Sequence, residues 1–507
     1  MRGGGEEPIL PLSFRVPRVI PLLRERVAAW LPVLLGCCYL VGGVVVGRVR
    51  FAYELDPDEG YNLVKVQLVD RGFALYREVW SDQPPGFTYL GVVFARLLGE
   101  EVENVRLVST LLASALVFAF ADLLRRSQRG VAGLASALAV ALLLPVTANF
   151  SRYSLAAMIG LPAIAWAVLS LWALVVSESK RLGWLIASGF LFAASLWTKL
   201  LCAFLLPLFV VLALQQARSL EQRGRVIARG ALAWGGACAL GLLLGLGPAF
   251  AAGGFEQLYT THVAGGFSSR SSVRVLLRYL AEDRSIYAAA LVGFGLSILR
   301  RDALGLLLGG WALLALGIVA THDPLWHHHV LLIGVPASVL AALLFGRVAE
   351  FVVERPLRFQ RLLGLCLLAA VLLVIAYPLL EDGPSLATLN DRSSRQLDVD
   401  AAIRKRAPQA RTVVTSKQIR AFRLGLVVPP ELAVTSAKRY RTGQLSARSV
   451  ARIVTERRPD VVILDNRWPP PVRRALLAAV ADGYRLVYEN RRAGDVEVYV
   501  ASSSRRK

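Results

Sequence analysis

Apolar runs of membrane length, separated by short polar connections, fill the chain from about residue 30 to residue 380. The first, about 30–47, follows a polar stretch carrying Arg2, Arg15, Arg18, Arg24 and Arg26. It is long for the core of a signal peptide and no small-residue cleavage site follows it, so it is expected to stay as a spanning helix. Ten further apolar segments follow at roughly 105–124, 130–149, 154–176, 184–198, 200–216, 230–252, 286–299, 303–320, 327–346 and 362–380, which predicts about eleven transmembrane helices. Pro145, Pro162, Pro207, Pro248 and Pro336 lie in or near these helices and blur their ends. From Glu381 the membrane pattern stops. Thr412–Thr415, Val461–Leu464 and Val496–Val500 read as short strands, and 398–407, 446–457 and 472–481 as helices, together a small α/β domain. The predicted organisation is an N-terminal segment (1–28), a transmembrane domain (29–380, with a first outer loop at 48–104) and a C-terminal α/β domain (381–507).

Composition agrees. Hydrophobic residues make up 55% of the 507 positions and the mean hydropathy is +0.52, which excludes an ordinary soluble enzyme and points to a polytopic α-helical membrane protein embedded in the lipid bilayer. A net charge of +22 would suit nucleic acid in a soluble chain, but in a membrane protein the place of each charge matters more, and no nucleic-acid partner is expected. Arg125, Arg126, Arg129, Lys180, Arg181, Arg218, Arg223, Arg225, Arg229, Arg300, Arg301, Arg347, Arg355, Arg358 and Arg361 fall in alternate connections, whereas the facing short turns hold only Arg152 and Lys199. The positive-inside rule then places the N-terminus in the cytoplasm and the C-terminal domain outside a bacterial-type inner (cytoplasmic) membrane, although a loop near 253–285 with four arginines weakens the pattern. The five cysteines all lie in apolar segments without metal-like spacing and read as small hydrophobes. The basic C-terminal domain has neither a glycine-rich phosphate loop nor a His/Cys cluster, so no catalysis is assigned to it. It either touches anionic headgroups or is simply a solubilising surface.

The densest acidic cluster, Asp56-Pro57-Asp58-Glu59, opens the first outer loop. One reading is a helix start, with Asp56 as N-cap, Pro57 at the first helical position and Glu59 reaching back to close a capping box. Leu63, Val66 and Val69 then give an amphipathic helix suited to the membrane surface. The other reading is a reaction site, and the two are compatible, because Asp58, Asn62 and Lys65 at i, i+4, i+7 share one helical face. The Asp82-Gln83-Pro84-Pro85 turn starts a second juxtamembrane helix, Gly86 to Leu98, too short to span comfortably. Arg152 and Lys199 are isolated charges at helix ends, and intramembrane or interfacial charges of this kind are suspects for function, with snorkelling to the interface as the alternative. Histidines cluster only at His322 and His327–His329, with His262 elsewhere. His322, Asp323, His327 and His329 are the candidate ligands if a divalent metal is bound, a hydrogen-bonding role toward substrate is the alternative, and no cofactor is required by the sequence.

These residues carry a resemblance. Asp58-Glu59 opening a surface helix, the Tyr76-Arg77-Glu78-Val79-Trp80 step, Asp82-Gln83-Pro84-Pro85, Arg106 entering the next helix, Ser151-Arg152-Tyr153, Thr198-Lys199, Trp326-His327-His328-His329 before a Pro336-containing helix, and a strand after Arg458 all occur in order. The set resembles the bacterial dolichyl-phosphate-mannose-protein mannosyltransferase-like and aminoarabinose transferase-like families of C-type (GT-C) membrane glycosyltransferases. The resemblance implies transfer of a sugar from a polyprenyl-phosphate-linked donor to an acceptor hydroxyl of a glycolipid, polysaccharide or protein on the outer face, usually with inversion. It implies Asp58 as the catalytic carboxylate with Glu59 beside it, and substrate contacts from Asn62, Lys65, Asp82, Tyr153, His328 and His329. Where relatives often carry a further acidic residue after the Ser-Arg pair, this chain has Ala156 and Ala157, so that residue's role is not transferred.

The chemistry of such a transfer fits the same residues. A hydroxyl attacking an anomeric carbon needs a base, which a partly desolvated carboxylate provides. The leaving group is a phosphate, which needs cations rather than a proton, and Lys199 and Arg152 are the candidates. A transporter, or a noncatalytic membrane scaffold or sensor, is the alternative. A transporter is expected to show repeated halves around a midplane site, and no such repeat is visible.

Overall fold

The computed structural model describes residues 19–49, 52–128, 130–176, 182–220, 224–262, 269–322, 325–354, 386–491 and 495–502. The membrane part is built from helices α1 (Val19–Val49), α2 (Pro57–Asp70), α3 (Gly86–Leu98), α4 (Val102–Ser127), α5 (Gly130–Val146), α6 (Ala148–Ser154), α7 (Gly160–Val176), α8 (Leu182–Thr198), α9 (Leu206–Leu220), α10 (Gly224–Ala251), α11 (Gly254–His262), α12 (Ser269–Glu282), α13 (Arg284–Arg300), α14 (Ala303–Thr321) and α15 (Leu331–Glu354). Ten of the eleven expected apolar segments fall on these helices, and the eleventh, 362–380, lies outside the described residues. Among the described residues, five helices are long and apolar enough to cross a membrane, within 28–46, 102–127, 232–251, 303–321 and 331–353. Others, such as α5, α7 and α8, have 17 residues, roughly 25 Å of helix against a hydrocarbon layer of about 30 Å. The expected 154–176 segment is divided, because the chain turns between α6 and α7 at residues 155–159.

The C-terminal α/β domain carries four strands, β1 (Val413–Val414), β2 (Val461–Leu464), β3 (Tyr484–Asn490) and β4 (Val496–Ala501), in the order β1-β2-β4-β3. β1 and β2 run parallel, while β4 is antiparallel to both β2 and β3. The all-apolar β2 is fully buried, as its sequence requires. β3 was not anticipated, because Tyr-Arg-Leu-Val-Tyr-Glu-Asn is largely solvent-facing and carries no clear period of two.

What positions the site is α2. Its start follows the sequence: Asp56 caps it by accepting from the Asp58 N–H at 3.0 Å, and Pro57 takes the first turn. Its setting does not, because α2 is not a surface helix. Leu63 and Val66 belong to the membrane-domain core, while Val64 and Leu68, on other faces, belong to the core of the C-terminal domain. The helix is sandwiched between the two. At Gly60 the fit leaves no room for a side chain, since a Cβ there would lie 2.6 Å from the Ile419 backbone nitrogen. Around this seam Tyr53 donates to the Asp400 carboxylate at 2.9 Å, Arg467 pairs with Glu54 at 2.6 Å, and Arg423 pairs with Glu103 at 3.1 Å.

Glu59 is where the sequence expectation fails. It is fully buried beneath α2 and does not reach Asp56 to close a capping box. Instead its two oxygens accept from Arg106 Nε (2.8 Å) and Nη2 (2.9 Å), from the Ala157 N–H (2.8 Å) and from the Leu55 N–H (3.0 Å). Burial alone would raise its pKa, but Arg106 and the two backbone donors outweigh that and hold it below the usual range. Glu59 is therefore a structural anion with every acceptor position used, and the expected catalytic role beside Asp58 is corrected on that ground. Arg106 also donates to the Ala52 carbonyl at 3.1 Å, so one bidentate pair ties α4 to the entry of α2. Replacing Glu59 by Gln strands a buried guanidinium. It is expected to cost about 3–5 kcal/mol, read as a lowered thermal unfolding temperature in lipid nanodiscs; an unchanged temperature would refute the structural assignment.

Candidate active site

Between α2, the membrane helices and the C-terminal domain lies a cavity of about 840 Å³. The Asp58, Asn62 and Lys65 face of α2 lines it as the i, i+4, i+7 spacing requires, and Asp82, Arg152, Lys199, His328 and His329 join from four other segments. Lys199 is placed by a break in the helix: its backbone is extended (φ −154°, ψ 114°) between α8 and a 3₁₀ turn at Leu200–Leu205, which turns a buried ammonium toward the cavity. Asp82 is placed by the preceding turn, in which Tyr76 adopts a left-handed φ of 72°. That conformation is held by the Tyr76 N–H donating to the Val79 carbonyl (2.8 Å), by Tyr76 Oη donating to the Gln83 carbonyl (2.8 Å), and by Gln257 of α11 donating to the Tyr76 carbonyl (2.7 Å).

Other expected residues take supporting places. Tyr153 is buried away from the cavity and donates from its hydroxyl to Asp56 Oδ2 at 3.0 Å, so the expected substrate contact is replaced by a brace under the α2 cap. Arg152 donates from Nε to the Leu55 carbonyl at 2.7 Å, and from Nη2 to the same oxygen; it stands 3.8 Å from Asp56 while its remaining surface faces the cavity. Asn62 donates to the Ala157 carbonyl at 3.0 Å, which locks α2 to the α6–α7 connection. Of the candidate metal set His322, Asp323, His327 and His329, the His322 and His329 rings pack edge to face with centroids 4.4 Å apart beside the cavity. Asp323 lies outside the described residues, His327 meets Glu282 at 3.1 Å, and His329 Nδ1 accepts from the Trp326 N–H at 3.3 Å. The side chains that do converge are Asp56, Asp58 and His328, whose ligand atoms lie within 4.8 Å of one another. Two carboxylates and an imidazole suit a divalent ion, and His328 Nδ1 is buried without a hydrogen-bond partner among the described residues.

The C-terminal domain contributes residues that the sequence did not single out. Ser436, Lys438 and Arg441, in and before its Ala437–Arg441 helix, line the cavity, as do Tyr61 of α2 and Phe250, Phe255 and Tyr259 on the membrane side. The available signal was Lys438-Arg439-Tyr440-Arg441, three cations around one tyrosine in a domain that had been given no chemistry.

Electrostatics set the state of these groups. Burial, then Asp56 and Asp82, push the Asp58 carboxyl up to about 7, although Lys65 and Lys199 pull the other way. Burial draws the Lys65 ammonium down and that of Lys199 down to about 8, while burial and the nearby Lys199 hold His328 well below the usual histidine range, hence neutral. Asp58 is thus a carboxylate poised to take a proton near neutrality, among lysines that keep it partly ionised.

The sequence profile of the dolichyl-phosphate-mannose-protein mannosyltransferase family matches residues 82–244. No protein of curated function matches the chain by sequence. Among solved structures, ArnT from Cupriavidus metallidurans in the apo state is similar at 16% identity and a TM-score of 0.62, and ArnT bound to undecaprenyl phosphate at 14% and 0.61. Each comparison covers 92% of this chain and 98% of ArnT.

A raised Asp58 pKa has a stability consequence. Between the ordinary value of 3.8 and about 7 the folded protein holds a proton that the unfolded chain releases, so the contribution of Asp58 to stability falls as pH rises through that window and is flat above it. In chelator-treated protein, the unfolding temperature of Asp58→Asn should therefore exceed that of wild type by more at pH 8 than at pH 5. The reverse order would remove the desolvated-carboxylate reading. By its central sequence match and its fold over nearly the whole length, the chain is a GT-C-fold membrane protein similar to the dolichyl-phosphate-mannose-protein mannosyltransferases and to ArnT.

Proposed function

We propose that this multi-pass membrane protein transfers a sugar from a polyprenyl-phosphate-linked donor to an acceptor hydroxyl at the outer face of the cytoplasmic membrane, with inversion. The observation that carries the proposal is the composition of the single cavity around Asp58. Its charged lining is five cations (Lys65, Arg152, Lys199, Lys438, Arg441) against three carboxylates (Asp56, Asp58, Asp82), and it is flanked by Phe250, Phe255, Leu258, Leu200 and Leu201. An excess of positive charge beside an apolar wall suits an amphiphilic anion such as a lipid phosphate. A scaffold leaves the proton-accepting carboxylate among those cations without a use, and the repeated halves of a transporter are not visible in the sequence.

In this reading the lipid tail rests on the aromatic and aliphatic flank, and the donor phosphate lies against Lys199. The acceptor oxygen attacks the anomeric carbon on the face opposite the phosphate, its proton passes to an Asp58 oxygen, and the phosphate oxygen keeps the electron pair of the broken bond. Lys65 and Asp82 line the same space and are placed to orient the sugar. Asp56, Asp58 and His328 would hold a divalent ion, which when bound supplies further positive charge beside the phosphate. The acceptor class is a glycolipid, polysaccharide or protein hydroxyl, and the donor a hexose or pentose. The arginines at the far ends of α4, α13 and α15 support a cytoplasmic N-terminus and an outer C-terminal domain.

The test is sugar transfer by the purified protein in nanodiscs with a panel of polyprenyl-phosphate sugars. Wild type should release polyprenyl phosphate. Folded Asp58→Asn should be slower by about 10²–10⁴-fold, the usual weight of a general base. The wild-type rate should climb as pH rises through about 7, where Asp58 loses its proton, and level off above it. Full turnover by folded Asp58→Asn, or no donor turned over or bound by wild type, would overturn the proposal.

A further inference from the structure

We infer that Lys438, carried by the C-terminal domain, is a second cation for the departing phosphate, so that this domain supplies part of the catalytic machinery and is more than a cover. The inference rests on the glycosyl-transfer reading above and adds a residue to it.

The placement of Lys438 is built, not incidental. Its neighbour Arg439 is buried, stacks its guanidinium 4.7 Å from the ring centroid of Trp80 in the first loop, and donates to the Val434 (2.7 Å) and Glu431 (2.8 Å) carbonyls. Gln444 donates to Thr260 of α11 at 3.2 Å, which ties the following turn to the membrane side. Between these two anchors the short helix is fixed over the cavity, and Lys438 lines it half-buried. Asp58, Asp82, Lys199, His328 and His329 line the same cavity, close enough for Lys438 to act on each of them electrostatically. Two ammonium groups, one from each domain, therefore face the same space. Ser436, just before the helix, adds a buried hydroxyl with no hydrogen-bond partner among the described residues.

Charge bookkeeping for the reaction says what such a pair is for. The donor is a phosphodiester with one negative charge. The acceptor oxygen bonds to the anomeric carbon, the hydroxyl proton goes to Asp58, and the bond from that carbon to the phosphate oxygen breaks with its electron pair left on the phosphate. The product is a phosphate monoester with two negative charges. One cation matches the ground state, while a second is most favourable only as the new charge develops, and an interaction stronger in the transition state than in the bound substrate raises kcat. Lys199 is set in the membrane domain and Lys438 in the C-terminal domain, and both line the same cavity.

The test compares wild type, Lys438→Met and Lys438→Arg in nanodiscs, with equal unfolding temperatures as the condition for use. Two quantities are read: steady-state turnover of the donor, and affinity for polyprenyl monophosphate, the product. Lys438→Met should lower kcat about 10–100-fold with donor KM changed less than about threefold, and should weaken monophosphate binding at least tenfold; Lys438→Arg should restore most of both. If Lys438→Met leaves kcat and monophosphate affinity at wild-type levels, or weakens donor and product equally, Lys438 is not the second cation. Should Lys438→Met not fold, Lys438→Arg and Lys438→Gln take its place with the same readouts. A wild type that turns over its donor while the variants match it sinks this inference alone. A wild type that neither turns over nor binds any polyprenyl phosphate sinks the glycosyl-transfer reading with it.

Discussion

The bidentate pair between Glu59 and Arg106 is the interaction on which the rest of the site depends. It is buried, it uses every acceptor position of the carboxylate, and through Leu55, Ala52 and Ala157 it fixes the entry of α2 against two other segments. A charge pair in such a place is costly to form and more costly to break, so its value is geometric: it leaves α2 one way to sit. With Glu59 held in the interior, the neighbouring Asp58, about 100° further round the helix, lines the cavity. Two adjacent acids that look equivalent in the sequence thus have different surroundings, one paired with Arg106 and one lining the cavity.

The second constraint is that α2 belongs to two cores at once. Leu63 and Val66 are packed by the membrane helices, while Val64 and Leu68 are packed by the C-terminal domain, whose Ile419 approaches Gly60 at backbone distance. A cavity at the seam of two bodies can be lined from both. Here the membrane domain supplies Lys199, the first loop supplies Asp58, Lys65 and Asp82, and the C-terminal domain supplies Lys438 and Arg441. Desolvation of this shared space raises the Asp58 carboxyl to about 7 and draws the Lys199 ammonium down to about 8, and it lowers Lys65 as well.

Much of this could be read from one-dimensional patterns, because those patterns are local. Apolar length fixed the membrane class, the Asp56-Pro57 cap fixed the start of α2, and the Pro84-Pro85 step fixed α3 as Gly86–Leu98. The shared face of Asp58, Asn62 and Lys65 follows from the helical period alone, and Lys199 stood out because a lone charge between apolar helices is expensive wherever it lies. Order along the chain was also enough to suggest the C-type glycosyltransferase resemblance.

What the sequence could not decide was which partner each polar group would meet. Nothing in Asp58-Glu59 says that Arg106, 47 positions on, takes the second acid and leaves the first. Nor does Trp-His-His-His say that His328 alone turns toward Asp56 and Asp58 while His327 goes to Glu282. The C-terminal helix at Ala437–Arg441 reads as ordinary basic surface until Trp80 and Thr260 hold it over the cavity. Membrane residence and most of the secondary structure come from periodicity and apolar length, which a sequence carries locally, although the largely solvent-facing β3 left no such period. Roles of individual charges come from long-range pairing in a desolvated space, and only the tertiary structure sets those distances.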